Sequence, residues 1–87
     1  MGNLKERIKK LIVQKGGNLK NFKFKYYNES PYMKKRFKPE FVQSECWVYV
    51  DGNKNGYMIT EDDFNSITYS ETFIDMILAE NSKKLKA

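Results

Sequence analysis

The sequence predicts an α+β domain, a three-stranded antiparallel sheet with one helix at each end of the chain, in the order α-β-β-β-α. Three observations predict it. Apolar residues recur at helical spacing near both ends, a period of two runs through the middle, and a turn rich in Asn and Gly joins two of the extended segments.

The first helix rests on Leu4, Ile8, Leu11 and Ile12, which share one stripe, with Asn3 as its N-cap and Gly16-Gly17 as its end. Lys5, Arg7, Lys9 and Lys10 make its other face basic. From Asn21 the period changes: Phe22, Phe24 and Tyr26 alternate with Lys23, Lys25 and Tyr27, as in a strand buried on one face. Asn28 to Pro39 carries Pro31 and Pro39 around a basic run and is read as a loop. Phe41 to Val50 is apolar on both faces, with Val42, Cys46, Val48 and Val50 on one and Phe41, Trp47 and Tyr49 on the other, so it is expected at the centre of the sheet. Asp51 to Gly56 then makes a hairpin turn into Tyr57–Thr60. Thr60 caps a short turn led by Glu61, Asp62 and Asp63, and Ser70 is expected to cap a last helix through Phe73, Ile74, Ile77 and Leu78 to about Asn81. Residues 1–82 are read as one domain and residues 83–87 as a basic tail. With helices on one face of the sheet, Phe41, Trp47 and Tyr49 on the other need a cover of their own, which leaves a homodimer open.

Composition bounds the function. A chain of 87 residues buries only somewhat more than ~60% of its unfolded surface, which leaves little room for a deep active site. It has no histidine and one cysteine, Cys46, so the commonest general base and the usual partner of a thiol nucleophile are missing. The expectation is a protein that is not an enzyme and carries no metal or cofactor. Apolar runs such as Leu11–Val13 and Met76–Ala79 fall short of the roughly 20 residues that span a bilayer, and the opening residues lack a secretory core, so no membrane association and a cytoplasmic, reducing setting are expected. Fourteen lysines beside two arginines, with much Asn, Ile, Tyr and Phe, match the codon usage of an AT-rich genome, as in a low-GC bacterium or its phages and plasmids.

Charge is the strongest functional signal. Residues 1–40 carry a net +9, residues 41–82 a net −7, and the whole chain +5. Such a division orients a molecule toward a charged partner, provided that folding does not interleave the two halves. In the basic half, Lys20, Lys23, Lys25, Lys34, Lys35, Arg36 and Lys38 are interleaved with Tyr26, Tyr27, Tyr32 and Phe37. That supplies charge for phosphates and rings for unpaired bases, although the excess of Lys over Arg points to backbone contact with little sequence preference. In the acidic half, Asp51, Glu61, Asp62, Asp63, Glu71, Asp75 and Glu80 make a candidate surface for the nucleic-acid groove of another protein; Glu61 to Asp63 also have a plain role as acids in a helix's first turn.

Two motifs are set aside. Asp51, Asn53, Asn55 and Gly56 match positions 1, 3, 5 and 6 of an EF-hand calcium loop, but position 12 is Asp62 rather than Glu, position 9 is Ile59, and a strand precedes the loop where a helix belongs. A hairpin turn explains the residues better. Lys34 to Lys38 as a nuclear-localisation run is equally unspecific.

The basic first helix, the hairpin from Trp47 to Thr60 and the closing helix after an acid-rich turn together resemble the small phage anti-CRISPR proteins of α-β-β-β-α order. The likeness is one of topology and brings no functional residue with it. It implies a stoichiometric inhibitor of a host defence complex. Small inhibitors that mimic DNA are strongly acidic, whereas this chain is net basic, so contact with guide RNA or with an acidic protein face is the implied variant. The expectation is therefore a phage- or mobile-element-type inhibitor of a nucleic-acid-handling complex, with direct, weakly specific binding of DNA or RNA by the basic half as the alternative.

Overall fold

The computed structural model describes residues 2–86, with side chains as far as Lys83. Helix α1 (Leu4–Gln14) starts where the Asn3 side chain accepts the Glu6 N–H at 3.0 Å, and it buries Leu4, Ile8 and Ile12 completely. It ends at Gly16, whose φ of +87° is a conformation that L side chains rarely adopt. Gly17 has a different reason to lack a side chain. A Cβ there would stand 2.6 Å from Ile12 Cγ2 and 2.7 Å from Leu78 Cδ2, so the chain leaves the helix through a gap that only glycine fits.

Strands β1 (Phe22–Tyr27), β2 (Glu45–Val50) and β3 (Tyr57–Thr60) form an antiparallel sheet in the order β1-β2-β3. The central position of β2 and the hairpin turn stand as expected, with Gly52 at φ +86° and the Asn53 N–H donating to Val50 O at 2.9 Å. After β3 come α3 (Glu61–Asn65) and α4 (Ile67–Lys86). The α+β class, with helices at both ends of the chain around a three-stranded antiparallel sheet, is as the sequence predicts. Phe22, Cys46, Val48, Val50 and Ile59 from the sheet pack with Leu4, Ile8 and Ile12 of α1, Phe64 of α3, and Phe73, Ile74 and Ile77 of α4. Since all of these sheet residues lie on one face, α1 and α4 cover that face and leave the other open except at the corner where Ser30 and the start of α2 meet Glu45.

Four local expectations need correction. Asn28–Pro39 is not merely a loop: α2 (Pro31–Arg36) forms within it. Proline at the first helical position removes only an N–H that has no intrahelical partner, Ser30 Oγ accepts the Met33 N–H at 3.3 Å, and Lys34, Lys35 and Arg36 sit favourably at the negative end of the dipole. Next, β2 begins at Glu45, not Phe41. Glu45 pairs with both Tyr27 and Thr60, the last residues of its two neighbours, and no strand remains upstream to pair with. Phe41 lies instead in a single 3-10 turn, Pro39–Phe41, 62% exposed and off the strand that carries Trp47 and Tyr49. Finally, Ser70 does not cap the last helix. Ser66 does, accepting the Tyr69 N–H at 3.4 Å, while Ser70 is buried inside α4 with its hydroxyl donating to Ile67 O. The helix also runs past Asn81 to Lys86; the expected tail of residues 83–87 lies, beyond Lys83, outside the residues whose side chains are described.

Candidate functional site

Alternation along the three strands places Lys23, Lys25 and Tyr27 of β1, Glu45, Trp47 and Tyr49 of β2, and Met58 and Thr60 of β3 on the face without helices. The register fixes their neighbours: Lys23 stands opposite Tyr49, Lys25 opposite Trp47, and Trp47 opposite Met58. Lys23 and Lys25 are exposed, whereas Tyr27, Trp47 and Tyr49 are half-buried. The Lys25 ammonium lies 5.6 Å from the centre of the Tyr27 ring, and contact with the Tyr27 hydroxyl raises its pKa above the usual lysine value. It is charged at neutral pH.

Helix α2 closes one corner of this face. Pro31 and Tyr32 join Lys25, Tyr27, Trp47 and Tyr49 around a shallow cleft with Glu45 at its floor. Glu45 is 7% exposed, and its two carboxylate oxygens accept from Ser30 Oγ and Trp47 Nε1, each at 2.8 Å. Ser30 is the cap of α2, so one carboxylate holds both the helix and the plane of the indole. This residue escaped the sequence reading. Its signal was there: an acid at the head of the apolar run Cys46–Val50, two residues before a tryptophan on the same face. Tyr49 is positioned from the other side. A Cβ on Gly56 would come within 2.6 Å of its ring, so the glycine of the turn is what lets the ring approach so closely there.

Of the other basic candidates, Lys20 is exposed just before β1, in the 3-10 turn Leu19–Asn21. Lys34, Lys35 and Arg36 are exposed on α2, and Lys38 follows it. Lys34 is paired with Glu29 at 3.0 Å, and the Arg36 guanidinium lies over the Tyr32 ring at 4.7 Å. None of Lys20, Lys23, Lys25, Lys35, Arg36 and Lys38 forms an ion pair among the described residues.

The acidic candidates do not form one surface. Glu61, Asp62 and Asp63 follow directly on β3 as the first turn of α3, where Thr60 Oγ1 accepts the Asp63 N–H and Gln43 exchanges two hydrogen bonds with Asp62. Asp51 is exposed in the hairpin turn, at the far end of the sheet from these three, and its N–H donates to Asn21 O. Glu71 faces α1 instead. With Asp75 it grips Lys15, at 3.6 and 2.9 Å, and this contact, led by the Asp75 hydrogen bond, raises the Lys15 pKa above its ordinary value.

Chemistry elsewhere is sparse. Burial pushes the Cys46 thiol from its ordinary 9.0 up to about 11, against the smaller opposing effect of Lys5 and Lys9, so it is protonated and unreactive at neutral pH. Among the described residues no group of three or more His, Cys, Asp or Glu could share a metal ion, and no helix is long and apolar enough to cross a membrane. Comparison with protein-family models, with curated proteins and with solved structures finds no match to this chain.

Proposed function

We propose that this protein is a non-catalytic binding module that inhibits a nucleic-acid-handling complex, in the manner of the anti-CRISPR proteins it resembles, and that the helix-free face of the sheet is its contact surface. One observation carries the proposal. Because the strands follow one another in space as they do in sequence, charge of opposite sign lies at opposite edges of the sheet: Lys23 and Lys25 lie on the β1 edge, the rings of Trp47 and Tyr49 in the middle, and Glu61 to Asp63 at the end of the β3 edge. A nucleoprotein complex presents the matching pattern, an anionic strand beside the basic groove that holds it. Electrostatic complementarity of this kind speeds encounter and selects partners. Half-exposed aromatic rings surrounded by charge are the side chains that most often anchor an interface.

The test is target cleavage by purified RNA-guided nuclease complexes titrated with the protein. Cleavage should fall to background near one equivalent, and a Trp47→Ala, Lys25→Glu double variant should restore it. Full cleavage by every complex at large excess of the folded protein sinks the proposal.

A further inference from the structure

We infer that the helix-free face takes an unpaired stretch of nucleic acid, with bases stacked on Tyr27, Trp47 and Tyr49 and phosphates held by Lys23 and Lys25. The inference rests on the proposal that this face is the contact surface and gives that surface a ligand. Trp47 and Tyr49 are two residues apart on one strand, so their backbone positions are spaced by about 6.8 Å along it and their side chains leave the same face. Tyr27 extends the row diagonally on β1, two residue pairs beyond Trp47. Rings in such a row accept successive bases whatever the sequence, because every base has a π face. The lysines stand directly across from two of these three rings, Lys25 from Trp47 and Lys23 from Tyr49, so two of the proposed stacking positions have a cation opposite for the adjoining phosphate. Neither lysine has a carboxylate partner among the described residues, so no internal ion pair has to break.

A double helix does not fit this pattern, since its bases are already stacked on one another and only its backbone is offered. The rings also arrive preorganised, as the Glu45 carboxylate fixes the indole of Trp47 and Gly56 seats Tyr49, which lowers the entropy that binding has to overcome.

Trp47 is the chain's single tryptophan, so its fluorescence reports from the proposed site alone. The full-length protein is titrated with single-stranded homopolymers of thymidine or of adenosine ribonucleotides, with a duplex of equal length, and with inorganic polyphosphate, at low and at physiological salt. Single strands should quench Trp47 and the polyphosphate should not, because charge without bases cannot stack. Tyr27→Ala and Tyr49→Ala should each weaken single-strand affinity about fivefold or more. Lys23→Ala and Lys25→Ala should each lower the slope of log affinity against log salt by about 0.7. Circular dichroism of each variant separates loss of binding from loss of fold.

The inference is overturned by an absence of single-strand quenching at low salt, or by equal quenching with polyphosphate. Affinity lost on changing Lys34, Lys35 and Arg36 but unaltered by Tyr49→Ala also overturns it, by moving the ligand to α2. So does a concentration-dependent change in Trp47 emission without any oligonucleotide, which identifies a second copy as the occupant. If single strands fail while the Trp47→Ala, Lys25→Glu variant still relieves nuclease inhibition, only the ligand is wrong; if that variant inhibits fully, the surface is wrong as well.

Discussion

The two faces of strand β2 differ more than any two segments of the chain. On one side Cys46, Val48 and Val50 are wholly buried under α1 and α4; on the other, one residue along each time, Trp47 and Tyr49 stay half in water beside the lysines of β1. The helix layer also neutralises charge that the sequence had kept apart, since Lys15 of the basic half meets Glu71 and Asp75 of the acidic half. Among the described residues no ion pair joins one strand of the sheet to another. The helices cross the molecule and bring distant segments together, whereas the meander of strands preserves sequence order in space. Division of charge along a chain therefore survives folding only where the topology is sequential, and here that is the surface with the exposed rings.

The comparison breaks most visibly in stability. Ile59→Ala, on the covered face, should cost about 2–5 kcal/mol in chemical denaturation. Met58→Thr, one residue away on the open face, should stay within roughly 0.5 kcal/mol. Similar costs for the two would mean that the open face is packed after all. Next in size is Gly17→Ala, whose new methyl must displace Ile12 or Leu78 and should cost about 1–3 kcal/mol. Glu45→Ala tests the tie between Trp47 and α2. It leaves the Ser30 hydroxyl and the indole N–H without their acceptor, should cost about 1–3 kcal/mol, and should shift Trp47 emission to the red as the ring loosens.

A smaller effect concerns pH. The folded state holds the Cys46 thiol proton up to about 11 while an unfolded chain releases it near 9.0, so the unfolded state binds fewer protons between these values. Stability should be unaffected by this group below the lower value and fall as pH rises between the two. A Cys46→Ala variant should lack that part of the decline, and the wild-type thiol should react with alkylating reagents at neutral pH only once the protein is unfolded. The smallest effect belongs to Lys15→Ala. Its partners are exposed, so the loss should be about 0–1 kcal/mol and should shrink further in salt.

Several particulars show why parts of the fold were legible and others were not. Asn3, Thr60 and the Asp51–Gly56 turn act through atoms within a few residues of themselves, and their roles can be read along the chain. The α2 segment was misread because proline was taken as a breaker, when its effect depends on where it falls in a helix, and that depends on the Ser30 cap beside it. Phe41 was assigned to the central strand because periodicity continues through it; a strand ends where its partners end, and partners are not visible in a single segment. Glu45 was passed over for the same reason. Its importance lies in contacts with Ser30, 15 residues upstream, and with an indole whose orientation the sequence does not specify.

By itself the sequence determined the α+β class, the central place of β2, the caps of α1 and α3, the hairpin, and the division of charge between the two halves, because each follows from periodicity or from interactions between near neighbours. Only the tertiary structure decided which face of the sheet the helices cover, which charges are paired across α1 and α4, and that one buried carboxylate would hold both α2 and Trp47. Those depend on how elements distant in sequence approach one another, and the free energy that selects one approach is shared over the whole core.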